Sequence, residues 1–458
     1  MAAVALAVGL VLADASVVIL ALPAIYREYN ARVADVAWVV TAFNLAIALA
    51  ALPAARLATR RPAGQVCAGG LALFAASSAA CALAPSLPFL IAARAVQGVG
   101  GAAAVCAALE LLPALCKNGV RPATCGSDPV LADTVPERSA VRIWAAAGVA
   151  GAALGPAIGG LLTQLISWQA IFVAQVPLAL IPAVLLFRLG GPAVAARAGV
   201  PHVAANIALG LLSAGLAAVL FLLVLLLVEG WRMPPVSAAL AVTVMPVAAL
   251  AVGPFERRVA GARTRAAAGA LLGAGGVAAL GLLPHAGWEW TLAPQVLIGA
   301  GLALSLGALT EAALAGRSPA AIHGGWTIAS RHAGVVLGLV LLTPVFVGDL
   351  DTQRGRATQK GAELVLDAPI PVLTKIELAG QIASDIKREP GRLPDINRSF
   401  DAVGSNTGDR AALLKLRAQL NDQLDRAATS SFKRSFLFAA LLAGLALIPI
   451  ALTRKATL

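Results

Sequence analysis

The chain has 458 residues, 59% of them apolar and 13% charged, with a mean hydropathy of +0.84, whereas soluble domains carry roughly 25% charged residues. That balance excludes a single water-soluble core, and the net charge of +12 raises nucleic-acid binding as an alternative that the placement of the basic residues must decide.

Twelve apolar runs follow one another: 2–22, 33–53, 65–84, 87–109, 143–164, 170–189, 203–228, 235–255, 266–284, 292–314, 320–347 and 434–453. Each is close to the length needed, at about 1.5 Å per residue, to cross a hydrocarbon core of about 30 Å. The first run lacks a basic flank and carries Asp14 in its second half, which favours a transmembrane helix over a cleavable signal peptide. With the N-terminus in the cytoplasm, Arg56, Arg60, Arg61, Lys117, Arg121, Arg257, Arg258, Arg263 and Arg265 lie inside, while the short loops opposite hold only Arg27, Arg32 and Arg232. This bias places both termini in the cytoplasm of a multi-pass inner-membrane protein and assigns the basic charge to topology, with no nucleic-acid partner. Trp168, Trp231, Trp288 and Trp290 fall in short outer loops or helix ends, where indole rings favour the headgroup zone. Cys67, Cys81, Cys106, Cys116 and Cys125 read as reduced thiols, without the His or Cys company of a zinc site, and no metal or cofactor is expected.

The expected fold is an all-α polytopic membrane protein with twelve transmembrane helices in two six-helix halves. Residues 1–189 form the first half, 190–202 a cytoplasmic linker, 203–348 helices 7 to 11, 349–433 a long extracytoplasmic helical loop, and 434–458 helix 12 with its tail. Two such halves suit alternating access around a midplane site. The basic stretch from Ala54 to Arg61 after helix 2 has an echo, Pro254 to Arg263, after helix 8. In the long loop Leu413, Leu416, Leu420 and Leu424 recur at helical spacing and lead into helix 12, which reads as an extended helical cap, a lid or a partner-docking site.

Helix 5 reads Gly148-Val149-Ala150-Gly151-Ala152-Ala153-Leu154-Gly155-Pro156-Ala157-Ile158-Gly159-Gly160. Gly151, Gly155, Gly159 and Gly160 permit close backbone approach, and Pro156 removes a donor in mid-helix. The string resembles the antiporter motif of the major facilitator superfamily. Leu12-Ala13-Asp14-Ala15-Ser16, Arg94-Ala95-Val96-Gln97-Gly98, Trp168 to Pro177 and Arg331-His332-Ala333-Gly334 with Gly338 resemble other segments of that superfamily's drug:proton antiporters, in the same order. The resemblance covers about 1–348 plus helix 12, and implies proton coupling and export. It is closest to a branch that usually has 14 helices, and the gate motif after helix 2 departs from the pattern at Ala55, Thr59, Pro62 and Ala63.

A carboxylate in a bilayer is costly unless paired, so Asp14 is the first functional candidate. Counted from the outer ends of helices 1 and 4, Asp14 lies about 12 Å deep and Arg94 about 9 Å, depths that let them meet. The pair would hold Asp14 ionised, and loss of hydration on closure would favour the neutral acid. Gln97, Glu110, Gln175, Glu311, Arg331 and His332 complete the substrate and cavity candidates. Glu110 and Glu311 occupy pseudo-equivalent places in the halves, His323 is placed to pair with Glu311, and Arg331 requires an acceptor. No HExxH, GxSxG or P-loop is present, so neither an enzyme nor an ATP-driven pump is indicated. The leading expectation is a monomeric antiporter exporting small amphipathic molecules against protons. A proton-coupled uptake symporter and a non-transporting receptor or scaffold built on 349–433, with an extracytoplasmic partner there, stand as alternatives.

Overall fold

The structure is a computed structural model and describes residues 1–118, 129–189, 199–258, 261–284, 287–314, 316–388, 396–403 and 410–453. The first half runs α1 (Ala2–Ile19), α2 (Leu22–Glu28), α3 (Val33–Arg60), α4 (Ala63–Ala82), α5 (Leu87–Asn118), α6 (Pro129–Leu165) and α7 (Gln169–Phe187). The second runs α8 (Val203–Leu225), continued by a π-helical turn Leu226–Gly230, α9 (Pro235–Val252), α10 (Ala262–Leu280), α11 (Leu292–Leu314), α12 (Ala320–Asp367), α13 (Val372–Arg388), α14 (Ile396–Val403), α15 (Arg410–Gly444) and α16 (Leu447–Leu452). Helices are the form these runs must take in lipid, because each satisfies its own backbone. Ten helices among the described residues are long and apolar enough to cross a membrane. Large apolar side chains such as Leu49, Ile181, Val184, Leu185 and Leu240 face outward, as a bilayer requires and water would not. Two expected runs fall outside the ten: the apolar part of α6 is counted only over Leu154–Leu165, and α10 is diluted by alanine and glycine and opens on Arg263 and Arg265.

The packing repeats between halves. In the first, α1 packs on α6, α3 and α4 on α5, and α4 on α7; in the second, α8 packs on α12, α9 and α10 on α11, and α10 on α15. Glycines set the register. A Cβ at Gly151 would strike the Gly9 carbonyl, and one at Gly155 would meet Ser16 and the Ala13 carbonyl; a Cβ at Gly334 would strike the Gly210 carbonyl, and one at Gly338 the Ala214 carbonyl. Gly70 against Gly100 is likewise reproduced by Gly269 against Gly301, and Gly98 against Phe43 by Gly299 against Met245. The echo between the loops after helices 2 and 8 is therefore the trace of a full backbone repeat. Across the halves α6 packs on α9 and α3 on α12.

The chain does not leave the bundle as a loop after position 348. α12 continues unbroken to Asp367 and α15 enters the bundle unbroken from Arg410. Beyond the apolar parts of these helices, α13 and α14 pack with them around a separate core that includes Val365, Leu378, Ile396, Phe400, Leu413, Leu416 and Leu420. The leucine spacing noted in the sequence is this core's α15 face, with Leu424 partly buried beside it.

Candidate functional site

Asp14 and Arg94 are both fully buried, and Arg94 Nη1 donates to Asp14 Oδ2 at 2.5 Å. α1 delivers the carboxylate and α5 the guanidinium at matching depth, as helix counting predicts. The same Nη1 donates to Gln97 Oε1 (2.6 Å), and Arg94 Nε donates to the Val39 carbonyl (3.1 Å). Gln97 Nε2 donates to Ser78 Oγ (2.7 Å) and Gln175 Oε1 (2.9 Å), and Gln175 Nε2 closes the circuit on Asp14 Oδ1 (2.6 Å). Phe43 stacks on the guanidinium at 4.1 Å and Phe172 lies at 5.7 Å, an arrangement that favours a desolvated arginine. Arg94 Nη2 is buried without a partner. The carboxylate thus accepts one charged and one neutral hydrogen bond in a ring buried from bulk solvent.

This geometry revises two expectations. Gln97 and Gln175 have their amides committed to one another, Ser78, Arg94 and Asp14, so they belong to the ion-pair ring and offer no free group to a substrate in this conformation. Ser78 was not visible as a participant, since a serine in a small-residue helix carries no pattern of its own; only the α4–α7 contact brings it to Gln175, at 3.2 Å.

The antiporter-like string spaces backbones. Gly151, Gly155 and Gly159 lie on α1, against Gly9, Ser16 and Val17, while Gly160 meets Pro235 and Ala239 of α9 in the other half. α6 continues through Pro156, which is buried. The string therefore holds α1, and Asp14 with it, against one flank of the inter-half seam.

The halves are tied at three levels. At the end bearing the α12–α15 extension, Arg27 forms an ion pair with Glu229 at 2.6 Å and Gln164 Oε1 accepts from the Val236 N–H at 2.7 Å. In mid-bundle His332 Nδ1 and Asn44 Oδ1 share a hydrogen bond at 2.7 Å. At the opposite end Glu110 Oε1 accepts from the Ala321 N–H at 2.7 Å, placing an acid on the first turn of α12, where orphan donors and the helix dipole favour it. Thr59 bonds its own helix through the Arg56 carbonyl, and Ala55 packs on Gly325 of α12. The acidic contact to α12 at this end is thus supplied from α5.

Other candidates separate. Glu311 is exposed and lies five helical turns from the exposed Ala293, on α11's outward face, and it does not pair with His323, whose Nδ1 is buried without a partner. Arg331 is half-buried and has no hydrogen-bond or ion-pair partner among the described residues. Trp168 is buried against Tyr29 and Phe172 and donates to Glu28, so it is a packing residue in place of a headgroup anchor, whereas Trp288 and Trp290 are exposed. Cys125 and residues 119–128 of the 113–139 insertion lie outside the described residues, as does most of the linker.

A sequence model of the Major Facilitator Superfamily matches residues 4–343. The chain is 34% identical over 178 residues to the tetracenomycin C resistance and export protein of Streptomyces glaucescens, covering 39% of this chain and 30% of that one. It is 32% identical over 257 residues to the methylenomycin A resistance protein of Streptomyces coelicolor, covering 54% and 49%. The chain spans about a third to a half of the length of these curated relatives. A solved bacterial homologue of the human lysosomal transporter Spinster, inward-facing and occupied, superposes with a TM-score of 0.56 at 16% identity, over 98% of this chain and 95% of that one, and shares its fold.

Proposed function

The chain belongs to the Major Facilitator Superfamily, and from that premise we propose that it exports small amphipathic molecules across the cell's inner membrane in exchange for protons. In this reading twelve helices span the membrane, both termini are cytoplasmic, and the protein acts as a monomer without cofactor. The observation that carries it is the enclosed Asp14–Arg94 ring, because an ionised carboxylate within a membrane bundle is retained where it has work to do. Two drug-resistance proteins among the relatives support the direction.

The ring supplies the coupling step. While Asp14 is ionised, Arg94 and Gln175 hold both its oxygens and the two-charge cluster is neutral overall. A proton arriving at Oδ2 displaces the Nη1 hydrogen, and Arg94 keeps Gln97, Val39 and the Phe43 face while bearing an uncompensated charge. That excess charge is costly when dry, so protonation favours a conformation in which water or a substrate reaches the ring. Because the ring is sealed here, loading requires parting the Arg27–Glu229 end and unloading requires parting the Glu110–Ala321 end. Protonation and opening are thereby two readings of one equilibrium.

The test is reconstitution in liposomes with an imposed pH gradient and a pH-reporting dye, adding cationic and neutral amphiphiles to wild type and to Asp14→Asn. Compound-dependent proton flux in wild type, absent from the variant, supports the reading, and its direction separates export from symport. A full wild-type flux in Asp14→Asn overturns it.

A further inference from the structure

Within the described spans Asp14 and Arg94 answer each other and Glu110 caps α12, whereas Arg331 meets no hydrogen-bond or ion-pair partner among the described residues. It lies deep. Arg331 is eleven residues, or about 16 Å, beyond the start of α12, and Asp14 is twelve residues, or about 18 Å, beyond the start of α1. Its direction follows from what its neighbours meet. The exposed Trp326, Ala333, Leu337, Val340 and Leu341 form the outward line of α12, and at 3.6 residues per turn Arg331 stands about 140° round from it. To one side of Arg331, Gly334 and Gly338 meet carbonyls of α8; to the other, His332 bonds Asn44 of α3. Gly324, two turns back on Arg331's own side, meets Leu109 of α5. The guanidinium therefore points into the seam between the halves, and because lipid lies on the opposite face of α12, its half-buried state marks a space there.

A charge held inside a membrane bundle without a partner is costly, and such residues mark substrate pathways. The acids that could answer it are committed elsewhere. Asp14 is held by Arg94 and Gln175, Glu311 is exposed on the outward face of α11, and Asp349, eighteen residues or about 27 Å along α12, pairs with Arg434 at 3.3 Å. We propose that the missing counter-charge is carried by the transported molecule: the substrate is an amphiphile with a carboxylate or another single negative charge, seated on Arg331. A planar guanidinium gives a carboxylate two parallel donors and is less strongly hydrated than an ammonium, so it suits a site that closes. The closed ring in the first half has no amide to spare, and the polar contact to substrate falls to the second half. Val335, one turn outward on the same side, is partly buried against the outer apolar core and gives the rest of the molecule an apolar neighbour. This assignment rests on the transport reading above and names the class of its substrate.

The test uses the full chain in lipid nanodiscs and probes of one shape: tritiated 2-naphthoate, 2-naphthamide and 2-naphthylmethylammonium. Scintillation-proximity binding to wild type is expected to favour the acid over the amide at least tenfold, with the ammonium bound most weakly. Arg331→Gln should lose that preference and keep the amide's affinity, and Arg331→Lys, which retains the charge without the planar fork, should recover part of it. With no probe present, Arg331→Met sheds an unpaired charge and should unfold at a temperature no lower than wild type. A lower temperature would mean that Arg331 has a partner within the protein, and would overturn the proposal. Equal affinity for acid and amide, or a preference that survives Arg331→Gln, overturns it too, as does chloride displacing naphthoate at equal concentration, the mark of an adventitious ion only. Proton flux in liposomes separates this inference from its parent. Flux driven by the amide or the ammonium and never by naphthoate sinks the anionic substrate and leaves proton-coupled export standing. Naphthoate bound through Arg331 in a protein that no compound drives to move protons supports the anion site and overturns proton-coupled export.

Discussion

The two halves of the bundle share a backbone and differ in charge. The register that carries Gly9, Gly98 and Gly100 onto Gly210, Gly299 and Gly301 carries Asp14 onto Gly215, Arg94 onto Gln295, Gln97 onto Ile298 and Glu110 onto Glu311. Asp14 faces Gln175 of α7, and Gly215 faces Ala439 and Ala443 of α15, so even the direction of approach is kept. A repeat of small residues can therefore maintain a fold while the chemistry is lost from one copy. The second half has its own cation elsewhere, at Arg331 on α12, whose counterpart on α6 is Gly148.

The largest effect should come from breaking the pair. Arg94→Ala leaves a dry, unpaired carboxylate and should cost about 3–5 kcal/mol, with transport lost, whereas Gln295→Ala at the matching position should cost about 1 kcal/mol or less; thermal unfolding in nanodiscs reads both. Comparable losses would show that the halves are not chemically distinct. Next, Gly151→Val and Gly334→Val each force a side chain into a facing carbonyl and should cost about 1–3 kcal/mol apiece. A large cost at one and none at the other would break the backbone equivalence.

The fold was legible because its signals are local. Apolar run length gives the helices, and glycine spacing marks the close contacts of α6 before any partner is known. Asp14 and Arg94 were legible for a related reason: two opposite charges at equal depth in apolar helices leave few alternatives. The ring around them was not, because Gln97, Gln175 and Ser78 acquire meaning only from the α4–α5–α7 contacts. Glu110 and Glu311 looked alike by position, and the repeat makes them equivalent, yet one caps α12 across the seam and the other faces outward. The difference lies in what packs opposite, which spacing does not encode.

That difference yields a smaller prediction. Glu110→Ala should remove a cap worth about 1–2 kcal/mol and broaden spin-label distances between the start of α12 and the end of α3, while Glu311→Ala should change neither beyond about 0.5 kcal/mol. The smallest effect is expected at Gln295, whose Oε1 is buried without a partner. Gln295→Leu should be neutral or stabilise by up to about 1 kcal/mol, and a clear loss in the same unfolding assay would give that amide a role the comparison does not.

Infrared difference spectroscopy of the reconstituted protein, titrated with pH in the presence of a compound that drives proton flux, reports directly on whether Asp14 is the group that takes the proton. The carbonyl stretch of a protonated, buried carboxylic acid should appear in wild type and be missing from Asp14→Asn. The same band in both, or no band while flux stays coupled, would place the proton on another residue and contradict the division of labour between the halves.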